Sequence, residues 1–266
     1  MSGNFVPSSP EDRLLCARAE DLSAGAIKTC RTAFTKFLTP AQAAMLKNYC
    51  RSAGIEVYFD GGRPGAERVV ALFFPDWMDP ASDESVIYEE SPVAVLKISN
   101  TGDFELSHRD YLGALMASGI RRDTVGDIDV HGSVAWVFCL CEISEYISRE
   151  LECAGRAKLV IEKAERDDVP PPPKEDGVEL YGTVSSLRLD GLIAEGFKLS
   201  REEAKLLVTQ GACSIDHVPC SKPDAAVEEG SLISVKGKGR LRFDRVRGET
   251  RRGRIGVELT VFGKRR

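Results

Sequence analysis

No two cysteines in this sequence stand in a Cys-x-x-Cys spacing. The eight cysteines fall at positions 16, 30, 50, 139, 141, 153, 213 and 220. Structural zinc needs spaced pairs that converge tetrahedrally, which argues against fingers and ribbons here. The thiols are expected to be free and mostly buried, with no metal and no cofactor. Long apolar runs are missing as well: none approaches the roughly 20 residues a membrane helix needs, so no membrane partner is expected. Residues 1–10 have neither a basic n-region nor an apolar h-region. No signal peptide is therefore read, and the expected compartment is the cytoplasm. Histidine is scarce, with three in 266 residues, which leaves few candidates for a general base. A basic excess is lacking too, since 36 Lys and Arg face 41 Asp and Glu for a net −5. Taken whole, that balance speaks against a nucleic-acid partner.

The distribution of charge points the other way. Residues 180–266 carry 17 basic and 11 acidic side chains, a net +6, and the remainder carries 19 against 30, a net −11. From Lys236 to Arg266 the balance is 12 against 3. A basic end on an acidic body is the pattern of a polyanion-facing module carried by something else.

The length suits two or three small domains. Residues 1–92 read as helices followed by a β-hairpin. Leu14, Leu15, Ala19, Leu22 and Ile27 trace one amphipathic helix, and Thr39-Pro40-Ala41-Gln42 is a capping box with proline at the first helical position. Strands over 55–59 and 68–74 flank Asp60-Gly61-Gly62, and an acidic irregular loop fills 75–92. Residues 93–168 read strand 93–98, helix 107–118, strands 128–131 and 133–140, helix 141–154 and strand 158–162. That order, β-α-β-β-α-β, is the ferredoxin-like arrangement of RRM domains. An RRM stacks bases on sheet aromatics, but strand alternation here assigns Trp136 and Phe138 to a core. Val169 and the run Pro170–Pro173 begin a stiff linker over 169–179.

Residues 180–266 follow a different plan. Leu189, Leu192 and Ile193 mark a short helix that Gly196 is expected to stop. Ser200 with Glu203 caps a second, whose stripe is Ala204, Leu207 and Val208, with Gly211 closing it. Strands follow at 232–236 and 237–243. An Arg188-Leu189-Asp190 start, Ser200-Arg201 at the second helix and Gly230-Ser231-Leu232-Ile233-Ser234-Val235 at the strand resemble the S4 RNA-binding module, with Ser231 where that module usually carries Asp. The expected class is α+β, with a small S4 domain of αL type after an RRM-like middle.

The middle segment contains Ser107-His108-Arg109-Asp110-Tyr111-Leu112-Gly113-Ala114-Leu115. On a helical wheel His108 shares a side with Leu112 and Leu115, so it reads as packed or capping rather than as a base. Asp110 suits the Ser107 cap. With the C-terminal module, this wording resembles the YlmH family of bacterial proteins, in which Phe is common where Tyr111 stands. The resemblance implies RNA binding and association with the ribosome, at the large subunit near tRNA, in translation quality control, with some members linked to cell division.

The leading expectation is thus a non-enzymatic, monomeric protein for structured rRNA or tRNA, since folded RNA presents phosphates and 2′-hydroxyls to cationic surfaces. Its candidate contacts are Arg188, Lys198, Ser200, Arg201 and Lys205 on the helix pair, then Lys236, Lys238, Arg240 and Arg242 on the strands. Arg109, Arg121 and Arg122 join them from the middle domain, and Arg251, Arg252 and Arg254 extend the patch. The enzyme alternative is an S4-containing pseudouridine synthase, whose nucleophilic Asp follows Arg-Leu, as Asp190 does. A third reading makes the acidic N-terminal region a protein-adaptor face.

Overall fold

The computed structural model describes residues 9–102, 104–171, 177–250 and 253–262. The fold is mixed α and β with antiparallel sheets, in two compact units, Met1–Pro173 and Lys174–Arg266. Residues 172–176, in the middle of the expected linker over 169–179, lie outside the described residues, as do Arg251 and Arg252.

In the first unit, helices α1 (Pro10–Thr29) and α2 (Pro40–Ala53) each open on a capping box, Ser9 with Asp12 and Thr39 with Gln42. Strand β1 (Ala33–Phe34) lies between them in sequence, and β2 (Tyr58–Asp60) and β3 (Val70–Phe73) complete a sheet of order β1-β3-β2. All four residues of β3 are buried. Ala71 and Phe73 face α1 and α2 with Ala19, Leu46 and Cys50. Val70 and Leu72 face the other way, with Phe37, onto a second sheet. A strand covered on both sides has no polar face to give, which accounts for the unbroken Val-Ala-Leu-Phe. The segment expected to be irregular holds a short helix, α3 (Ser85–Glu90).

The second sheet comes from β4 (Val93–Thr101), α4 (His108–Ala117), β5 (Val125–His131), β6 (Val134–Leu140), α5 (Cys141–Glu150), β7 (Cys153–Ala154) and β8 (Ala157–Ala164). Its order is β5-β6-β4-β8-β7. The expected helix over 141–154 ends at Glu150, because Cys153 and Ala154 turn back to pair with Lys158 and Ala157. One face packs on α4 and α5 through Leu96, Ile98, Tyr111, Leu115, Val137 and Ile147. The other carries Trp136 and Phe138 against Phe37, Val70 and Leu72. Residues 1–92 and 93–168, read separately in sequence, therefore share a core. Arg63 fastens the layers from outside: it pairs with Asp127 at 3.2 Å and Asp129 at 2.6 Å and lies over the Phe138 ring.

The second unit comprises β9 (Val178–Val184), α6 (Leu189–Phe197), α7 (Arg201–Thr209), β10 (Cys213–Ile215), β11 (Val218–Pro219), β12 (Leu232–Val235), β13 (Gly239–Glu249) and β14 (Ile255–Phe262). The sheet order is β11-β10-β12-β13-β14-β9. Leu192 and Ile193 of α6 and Ala204 and Val208 of α7 share a core with Leu241, Phe243, Val257 and Leu259 of the sheet. Strand β9 begins inside the expected linker and pairs along most of β14. Gly196 does not stop α6. A Cβ there would lie 2.7 Å from Leu241 Cδ1, so this glycine lets the helix approach the sheet. The helix ends one residue later, at Phe197, and Lys198 takes the left-handed region at φ 55°.

Half of the cysteines, 16, 50, 139 and 213, are buried. Cys30, Cys141 and Cys153 are exposed, against the expectation of mostly buried thiols. They sit where elements begin or end: Cys30 caps α1, Cys141 opens α5 and Cys153 opens β7.

Candidate nucleic-acid interface

The Arg188-Leu189-Asp190 start of α6 builds an arginine clamp. Leu189 is fully buried, which fixes the backbone, and the Asp190 side chain is only 3% exposed. Arg188 donates to both carboxylate oxygens of Asp190, each at 3.1 Å. Arg201, at the first position of α7, approaches the same carboxylate at 3.5 Å. Two guanidiniums thus share one buried charge, while their side chains remain 38% and 52% exposed. The Asp190 hydrogen bond holds Arg188 above its ordinary value. The consequence is a pair of oriented, partly uncompensated cations, a geometry suited to phosphate oxygens.

Around the clamp stand the other helix-pair candidates. Lys205, exposed one turn after Arg201, has no ion pair among the described residues. Lys198 donates to Glu195 at 2.8 Å and stays largely exposed. The Ser200 side chain is committed to its own helix, donating to the Glu203 carboxylate at 2.7 Å and accepting the Glu203 N–H at 3.2 Å. The two hydrogen bonds that the Glu203 carboxylate accepts, from the Ser200 hydroxyl and from the Ser200 N–H at 2.8 Å, and, more weakly, the charge of Lys238 hold Glu203 below the usual carboxylate range. The turn between β12 and β13 itself sits past the other end of α7, where Lys236 donates its backbone N–H to the Ala212 carbonyl at 2.9 Å. Lys236 and Lys238 are exposed on this turn, and Gly237 takes φ 79° to make it.

Arg240 and Arg242 belong elsewhere. On β13 they alternate with Leu241 and Phe243, which pack on the helices, so the two arginines face away from the helix pair. Arg242 pairs with Asp244 at 2.5 Å and lies over the Phe262 ring. The patch read as one in sequence is therefore split between two faces of the C-terminal sheet. The glycines near it make a turn, and the bulges of β13 fall later, between Phe243 and Arg245 and between Val246 and Gly248.

Of the three middle-domain candidates in the first unit, only Arg109 remains an open cation among the described residues. It is exposed beside His108 in the first turn of α4. His108 is exposed too, against the packed expectation: it lies on the side of Tyr111 and Leu115 but ahead of the buried stripe. Arg121 is held by Asp123 through two bonds, of 3.1 and 2.7 Å. Arg122 donates to the carbonyls of Val125 and Gly126, and Arg68 donates to those of Val125, Phe37 and Arg122. Burial lowers both Arg68 and Arg122 from the usual guanidinium value. Arg122 holds a loop together, which the sequence around it does not reveal. The sheet aromatics are closed off as well, Trp136 and Phe138 being buried under the N-terminal layer.

Sequence reasoning treats Asp190 only as a possible nucleophile and misses it as an anchor. The Arg-Leu-Asp wording with an arginine eleven residues later is the available signal.

Residues 89–168 match the family described as "Putative RNA-binding domain in YlmH". A curated relative from Bacillus subtilis (strain 168), "Ribosome-associated protein quality control protein P2", is 29% identical over 229 residues, covering 84% of each chain. Among solved structures, "Cell division protein ylmH from Streptococcus pneumoniae" shares the fold with a TM-score of 0.50 at 21% identity, over 62% of this chain and 98% of that one. Residues 89–168, which contain the Ser-His-Arg-Asp helix that carries the resemblance, are thus similar to the RNA-binding domain described for YlmH.

Proposed function

We propose that the chain is a non-enzymatic RNA-binding protein of ribosome-associated quality control, acting as a monomer on structured rRNA or tRNA at the large subunit. The observation that carries this is the clamp of Arg188 and Arg201 on buried Asp190, with Lys205 one turn on and the Lys236–Lys238 turn past the other end of α7. Such a surface fits the phosphates of folded RNA by shape. The Bacillus subtilis relative, matched over most of both chains, supports the ribosomal setting.

The pseudouridine synthase reading is disfavoured by the same residue. A nucleophile must reach its base, and Asp190 is buried with both carboxylate oxygens engaged by arginines. Co-sedimentation of the full chain with purified large ribosomal subunits tests the proposal. Binding is expected with wild type and is expected to be lost in Arg188→Ala/Arg201→Ala. Equal sedimentation of that variant, or of wild type after ribosomal RNA is digested, would overturn it.

A further inference from the structure

The outer face of the C-terminal sheet carries a cluster that the helix-pair reading leaves unused. Tyr181 on β9 is 57% exposed although its strand contributes Leu180 to the core. The Arg247 guanidinium of β13 lies 4.4 Å from the centroid of the Tyr181 ring. Glu258 on β14 stands directly across from Tyr181 and pairs with both Arg247 and Arg245, each at 3.0 Å. The Glu258 side chain is 13% exposed, whereas Arg245 and Arg247 are more than half exposed. One carboxylate thus pins two guanidiniums, while the Tyr181 hydroxyl donates to Glu179 at 3.1 Å and Asp244 is taken up by Arg242. Farther along the same face Arg242 covers the Phe262 ring at 5.5 Å. At the other end Arg254 donates to the Thr183 hydroxyl at 3.0 Å and to the Thr183 carbonyl, both neutral acceptors.

This is a costly way to finish a solvated face. A sheet edge needs only charge to stay soluble, and lysine or glutamate would suffice. Arginine stacked on an exposed aromatic instead makes a flat, cationic, weakly hydrated plate. Nucleobases stack on aromatic rings and on guanidinium planes, and the neighbouring arginines suit the phosphates between them. A duplex keeps its bases inside, so the ligand that uses both features is an unpaired stretch of RNA.

We propose that this outer face, centred on Tyr181, Arg247 and Glu258, is a second RNA site that stacks unpaired nucleotides. It is distinct from the helix-pair surface that grips folded RNA. The inference rests on RNA being the ligand of this protein, and it extends that reading to a different structural class of RNA.

The test uses the full chain and two fluorescent probes, a non-self-complementary single strand of about eight nucleotides and a stable RNA hairpin. Tyr181→Leu keeps a strand-compatible apolar residue, and Arg247→Gln keeps a long polar one. Each is expected to weaken binding of the single strand by roughly 5- to 100-fold, the range for removing one stacked base, with hairpin affinity retained. Arg201→Ala/Lys205→Ala is expected to do the reverse. Retained hairpin binding also shows that the variants fold. The inference is overturned if both outer-face variants bind the single strand like wild type, or if wild type binds only the hairpin. Wild type that binds neither probe defeats the RNA-binding reading itself.

Discussion

Lys198 occupies a left-handed position that glycine would fill at lower cost. A lysine kept there exchanges backbone strain for a side chain at the turn between the two helices, beside the arginine clamp. Lys198→Gly is accordingly expected to hold or raise the urea midpoint while weakening hairpin RNA binding, and unchanged RNA affinity would show the lysine to be incidental. Tyr111 makes a comparable point inside the core. It is fully buried, and among the described residues its hydroxyl makes no well-aligned hydrogen bond, although the Asn100 side chain is close enough to act on it. Tyr111→Phe should therefore stabilise the first unit by about 1 kcal/mol, and a loss of stability in urea would show a partner for the hydroxyl. The thiols divide by exposure. Burial pushes Cys139 up to about 12 and Cys16, Cys50 and Cys213 up to about 11, from an ordinary 9.0. Native iodoacetamide labelling near pH 8 is expected at Cys30, Cys141 and Cys153 and not at these four, as peptide mass spectrometry would read. Because the unfolded chain releases those protons first, stability should fall as pH rises from about 9 toward 12.

At the scale of elements, what the sequence revealed was what depends on near neighbours. The capping boxes at Thr39, Ser107 and Ser200 each need only residues three apart, and all three form. The β-α-β-β-α-β order follows from periodicity and is present in β4 through β8. What escaped depends on distant partners. Strand β9 has an ordinary alternating sequence that becomes meaningful only against β14, about seventy residues on. Gly196 reads as a helix stop because glycine often is one, whereas its role is set by Leu241 across the core. Gly196→Ala consequently tests packing rather than helix propensity. Propensity alone favours alanine by up to about 1 kcal/mol, but overpacking against buried Leu241 should cost about 1–3 kcal/mol. A lowered urea midpoint is expected, and a raised one would mean that α6 shifts freely. The candidate site divides in the same way. Arg201 and Lys205 are legible as an i, i+4 pair, whereas the separation of Arg242 from them requires knowing which side of β13 the helices cover.

On the scale of the whole molecule, an acidic first unit carries many of its cations in ion pairs and loops, and a basic second unit carries the clamp. In the first, Arg63, Arg68, Arg121, Arg122 and Arg166 are tied to carboxylates or carbonyls. In the second, the clamp leaves two guanidiniums to share one carboxylate, with Lys205, Lys236 and Lys238 nearby in the fold. RNA affinity should therefore reside mainly in residues 174–266, and Arg109 is the most open of the three middle-domain candidates. The central claim, that the helix-pair cations neutralise RNA phosphates, is tested most directly by the salt dependence of hairpin binding. Each phosphate left without its cation makes the slope of log K against log salt shallower by roughly 1. Filter binding of wild type and Arg201→Ala/Lys205→Ala across a salt series should give slopes that differ by about 2. Parallel lines of equal slope would contradict the account, because they would mean that neither side chain releases a counterion when RNA binds.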